Sequence, residues 1–75
     1  MLLPDSIHPK YSVYYTGALL LKKLQQIGTM SVADLYVAAK EEHDMSFKLY
    51  MLSLDWLYLI NAAEINNEGD IVLCS

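Results

Sequence analysis

Arginine is missing from this chain, and its five basic residues, all lysines, stand against nine carboxylates for a formal charge of −4. Nucleic-acid binding takes its affinity from several phosphate-neutralising cations and its specificity from forks such as arginine on guanine, and neither is supplied. A single cysteine, Cys74, forms no internal disulfide, and its place beside the C-terminus argues against a structural metal site. It reads as a small hydrophobe ending a strand. The two histidines, His8 and His43, lie in an arm and at a helix end without a matched nucleophile, and the three glycines form no phosphate-cradling loop. No catalytic, cofactor-binding or metal-binding residues are assigned, and the chain is read as not an enzyme. The acids Glu41, Glu42 and Asp44 read as a solvated helix end. No stretch approaches the ~20 apolar residues of a membrane span, since Ser53 and Asp55 interrupt the best one. The opening MLLPDSIHPK has an early proline and an acid where a signal peptide carries basic residues and a long apolar run. A soluble, cytoplasmic protein is expected.

What the chain does have is apolar material, 55% of 75 residues. A domain this small buries only about 60% of the surface of its unfolded chain. The surplus concentrates in SFKLYMLSLDWLYLIN, Ser46 to Asn61. At 3.6 residues per turn, Phe47, Tyr50, Met51, Leu54, Leu57 and Tyr58 gather on one face and Leu49, Leu52, Trp56 and Ile60 on another. Lys48 and Asp55 leave only a narrow polar stripe, with Leu59 beside it. Such a helix needs two surfaces, and the second is expected to be another protein. A tightly packed monomer with exposed tyrosines is the alternative.

Pro4 and Pro9 make residues 1–10 an extended N-terminal arm, with Leu2, Leu3 and Ile7 available for packing. A first helix starts at the N-cap Ser12 and ends at Gly28, placing Tyr14, Ala18, Leu21 and Leu24 on one face, widened by Leu20 and Ile27. Gly17 within it costs about 1 kcal/mol relative to alanine, which suggests a close helix crossing. A second helix starts at Ser31 in a capping box with Asp34, burying Val32, Leu35, Tyr36 and Ala39. Its end, Lys40 to His43, faces solvent, and Asp44 opens the connection to the N-cap Ser46. Asn61 suits a left-handed cap after the third helix. Period-two alternation then predicts a hairpin turning at Gly69, with Ala63, Ile65, Ile71 and Leu73 inward and Glu64 and Val72 outward.

Three helices over residues 11–61 and a β-hairpin wing over residues 62–75 give a mainly α, winged helix-turn-helix-like fold, taken as a single domain. Leu54, Leu57, Ile65 and Ile71 are expected to share its core with Tyr14, Tyr36 and Tyr50. The outer face of the third helix, where such folds place their base-reading side chains, then holds Leu49, Leu52, Trp56 and Leu59. Leucines and a tryptophan on an acidic domain do not read bases. Tryptophan concentrates at protein interfaces, so these four residues are assigned to partner binding with Trp56 as anchor.

The segments LLPDSIHP, YYTGALLLKKL, SVADLY and SLDWLYLINAAEI, in this order and spacing, resemble the small middle component of bacterial ABC-three component systems. Asn61, Ala62 and Ala63 depart from the glycine and larger aliphatics expected after the third helix. The resemblance implies a large coiled-coil ATPase related to SMC and Rad50 proteins as partner, a third protein carrying an effector, and a role akin to Lamassu-like defence against phage or plasmids. It implies a non-enzymatic adaptor. A homodimeric winged-helix regulator using the same face is the second reading, and a DNA-binding repressor the third.

Overall fold

The computed structural model of the protein describes residues 12–74. The expected arm over residues 1–10, with Leu2, Leu3 and Ile7, lies outside them. The elements run α1 (Val13–Ile27), β1 (Met30–Ser31), α2 (Val32–His43), α3 (Phe47–Leu59), β2 (Ala63–Ile65) and β3 (Asp70–Leu73). The strands form an antiparallel sheet in the order β1-β3-β2. Mainly helical, with a helix-turn-helix followed by a wing, it has the winged-helix layout expected.

Local chemistry sets the helix ends. The hydroxyls of Ser12, Ser31 and Ser46 accept from the amides of Tyr14 at 3.2 Å, Asp34 at 3.0 Å and Leu49 at 3.1 Å, each contributing about 1 kcal/mol over alanine. Gly28 ends α1 at φ 103°, donating to the Leu24 carbonyl. Asn61, at φ 61°, takes the left-handed turn that passes α3 into β2. Asp44 takes a second, at φ 52° between α2 and α3, where Lys40 Nζ reaches its carboxylate at 3.2 Å.

Leu20, Leu24, Leu35, Tyr50, Leu54, Leu57 and Ile71 are fully buried, closed off by Ala39, Met45 and Ala63. A buried leucine or isoleucine contributes roughly 1.5–3 kcal/mol, so seven large side chains from every helix and the central strand supply most of the drive to fold. Tyr50 reaches across the core to donate its hydroxyl to the Val32 carbonyl at 2.5 Å, fixing α3 to the start of α2.

Four expectations are corrected. The short strand β1 was not foreseen: its Met30 and Ser31 pair with Ile71 and Asp70 of β3, and a two-residue strand has no periodicity to read. On α1 Leu20 and Leu24 are buried as expected and Leu21 packs against the core, but Thr16 and Gly17 are buried with them in place of Tyr14 and Ala18, and Ile27 is exposed. The crossing with α3 selects small side chains there, and hydrophobicity does not register that demand. Tyr14 is accordingly 69% exposed rather than a core residue. Ile65, expected inward, is 51% exposed. It lies on the same face of the sheet as Ala63 and Ile71, but β2 is the edge strand, and α3 ends at Leu59, so the helices cover Ala63 and stop short of Ile65.

Candidate protein-docking surface

The second surface that α3 requires is supplied largely by α1. Gly17 is buried in the crossing, where a Cβ would meet Trp56 Cδ1 at 3.3 Å and Leu57 Cδ2 at 3.5 Å. Beside it Thr16 and Ser53, both buried, join their hydroxyls across the interface. Each hydroxyl also lies 2.8 Å from a carbonyl of its own helix, Ser12 for Thr16 and Leu49 for Ser53. With the Val13 carbonyl also 3.4 Å from the Thr16 hydroxyl, two protons serve four contacts, so the bridging bond forms only when one hydroxyl gives up its backbone carbonyl.

The four residues assigned to docking fall within an arc of about 80° at 100° per residue, and their exposure rises along it. Leu49 and Trp56 are half-buried at the seam with α1, both packed against the core. Leu52 is 46% and Leu59 79% exposed. The structure therefore brings the four to one side of α3 but divides them. Trp56 does not stand clear of the core: its indole meets the Tyr14 ring edge-on, with centroids 4.9 Å apart. The apolar surface that is free on this arc is Leu52 and Leu59; exposed Ile60 follows it beyond Trp56, while exposed Met51 lies across the Lys48 and Asp55 stripe. Neither Ile60 nor Met51 was assigned to the site: Ile60 follows the last turn, and Met51 sits at the margin of the core-facing arc.

On α3 this surface is flanked by one charge of each sign, Lys48 and Asp55. From Leu49 to Cys74 the chain has four carboxylates, Asp55, Glu64, Glu68 and Asp70, and no basic residue. Among the described residues Lys23 pairs with Glu42 and Lys40 with Asp44, leaving Lys22 and Lys48 without an ion pair. At the wing tip the Asn66 side chain accepts from the amides of Glu68 at 2.9 Å and Asp70 at 3.0 Å, which fixes a turn carrying acids where a DNA-binding wing carries cations. Burial, and secondarily Asp55, pushes the Tyr58 hydroxyl above its ordinary range, so it remains a proton donor.

A separate hollow of about 230 Å³ lies between α1 and the turn joining α2 to α3, lined by residues including Tyr15, His43, Asp44 and Leu49. His43 there has Glu42 at 3.9 Å. Among the described residues no three His, Cys, Asp or Glu side chains group as metal ligands, and no buried polar side-chain atom lacks a hydrogen-bond partner. No described helix is long and apolar enough to cross a membrane. Half-buried Cys74 donates its amide to the Ala62 carbonyl at 3.0 Å, extending the ladder past β3.

Comparison with curated proteins and with solved structures finds no match. Over residues 3–74 the chain matches the family model of the ABC-three component (ABC-3C) system Middle Component 6, and with nearly its whole length covered it belongs to that family, an accessory component of a multi-protein system.

Proposed function

We propose that the chain is a non-enzymatic adaptor that docks through the outer face of α3, by Leu49, Leu52, Trp56 and Leu59, onto a coiled-coil SMC- or Rad50-like ATPase or the effector that works with it. The defence role against phage or plasmids, of the Lamassu kind, is part of the same reading and comes from the family resemblance. The observation that carries it is the free leucine pair Leu52 and Leu59, in a position where base-reading folds place polar side chains. Two leucines at roughly 1.5–3 kcal/mol each are too few for a stable complex. A standard interface buries about 800 Å² per partner, so Ile60 joins the contact and Trp56 closes its inner edge.

Co-expression with the neighbouring operon proteins, followed by purification on a tag carried by this chain, tests the proposal. Recovery of the ATPase or effector in stoichiometric amount supports it. Recovery of a stable homodimer alone sinks it in favour of a dimeric regulator.

A further inference from the structure

A second apolar patch lies on α3, across the polar stripe of Lys48 and Asp55 from Leu52 and Leu59. At 100° per residue Phe47, Met51, Leu54 and Tyr58 fall within about 60°, in the four-three-four spacing of a helix-pairing seam. Leu54 is turned into the core, but Phe47 is 58% and Met51 37% exposed, and Tyr58 is half-buried. The Phe47 ring rests edge-on against Tyr36, with centroids 5.3 Å apart. At the other end of the seam Tyr58 lines a shallow hollow of about 270 Å³ with Asn61, Ala63, Glu64 and half-exposed Ile65. A knob and a hollow thus stand at opposite ends of one helix. The charges are separated in the same sense. Lys48 adjoins Phe47, and from there to Cys74 the only charged side chains are carboxylates, beginning with Asp55. Among the described residues neither Lys48 nor Asp55 has an ion pair.

We propose that two copies of this chain pair through this patch, α3 antiparallel to α3 about a twofold axis. Phe47 of each copy enters the hollow beside Tyr58 of the other, and Lys48 of each meets Asp55 of the other. A twofold interface sets the same patch on both sides, so the patch must complement itself. An apolar knob with a cation at one end, and a hollow with an acid at the other, meet that condition. Register selects this face of the helix. With Phe47 opposite Tyr58, Lys48 and Asp55 of the two copies lie about 3 Å apart along the axis, within reach of a lysine side chain. Pairing through the outer arc, Leu49 opposite Leu59, would separate them by about 7.5 Å. Few side chains contribute, against the roughly 20–30 residues a side of a standard interface. The dimer is therefore weak, with a Kd between roughly 10 µM and 1 mM. The patch excludes the four residues assigned to docking, and either reading stands if the other fails.

The test is sedimentation equilibrium of the full chain from about 10 µM to about 1 mM. The expected result is a mass that rises from 8.5 kDa towards twice that value. Lys48 and Asp55 are both exposed, so reversing their charges leaves the fold in place. Lys48→Glu alone, or Asp55→Lys alone, sets like charges together at both ends of the interface and is expected to weaken the dimer about tenfold. The two reversals combined restore opposite charges and should bring the dimer back to within about threefold of the wild type. A Leu52→Asp, Leu59→Asp variant should dimerise as the wild type does. A mass that stays at 8.5 kDa throughout, or a combined reversal that restores nothing, overturns the proposal. Loss of the dimer in the Leu52→Asp, Leu59→Asp variant also overturns it, by moving the contact to the outer arc.

Discussion

Gly17 and Trp56 touch where α1 crosses α3: a Cβ at Gly17 would lie 3.3 Å from Trp56 Cδ1. Gly17→Ala therefore sets a helix-propensity gain of about 1 kcal/mol against slight crowding of the half-buried Trp56 indole. The expected net change is within about 1 kcal/mol, with Trp56 fluorescence shifted to the red. Gly17→Val adds bulk against buried Leu57 as well and is expected to lose about 2 kcal/mol or more. Denaturant unfolding of the two variants checks the order.

Trp56 and Leu59 separate fold from docking. Trp56→Ala removes the contact with Tyr14 and uncovers the α1 seam, and should cost about 2–3 kcal/mol. Leu59→Asp, at a side chain 79% exposed, should change stability by no more than about 0.5 kcal/mol. Equal losses in chemical denaturation would show that Leu59 is covered in the free protein.

Ser53→Ala removes one member of the hydroxyl bridge between α3 and α1. Thr16 keeps the Ser12 carbonyl as partner at 2.8 Å, so no buried donor is stranded and the cost should stay near 1 kcal/mol. A double-mutant cycle with Thr16→Val checks this by giving a coupling energy below about 1 kcal/mol. A larger coupling would show that the inter-helix bond outranks the backbone bonds.

Burial, with Tyr58 adding to it, raises the Tyr50 hydroxyl well above its ordinary 10.0. Above that pH the unfolded chain releases the proton while the folded chain retains it, so the unfolded state binds fewer protons and stability falls as pH rises. The contribution is full below pH 10 and is lost progressively above it. Tyr50→Phe should lose about 1 kcal/mol at pH 8, through the bond to Val32, and show a shallower decline above pH 10. Urea midpoints at the two pH values measure both effects.

Much of the architecture was legible because it is written in single residues with strong backbone preferences. Ser12, Ser31 and Ser46 cap, Gly28 ends α1 at a positive φ but outside the left-handed helical region expected of it, Asn61 turns left-handed, and alternation after Asn61 marks the hairpin. Gly17 marked the close crossing of α1 with α3, but the rest of the phase of α1 was not legible. The crossing buries Thr16 and Gly17, which score as polar and as nothing, while Tyr14 and Ala18 outrank them in hydrophobicity and remain outside. Ile65 was misplaced because alternation gives the face of a strand but not how far the neighbouring helix reaches along it. The outer face of α3 was found from the helical repeat alone, yet its inner margin at Trp56 depends on where α1 lies, which only the tertiary packing reveals.

The most direct test is purification of the co-expressed operon proteins with a Leu52→Asp, Leu59→Asp variant of this chain. Docking through α3 predicts that the variant unfolds at the wild-type denaturant concentration and loses the partners that the wild-type chain retains. A variant that folds normally and still brings down its partners in full contradicts it.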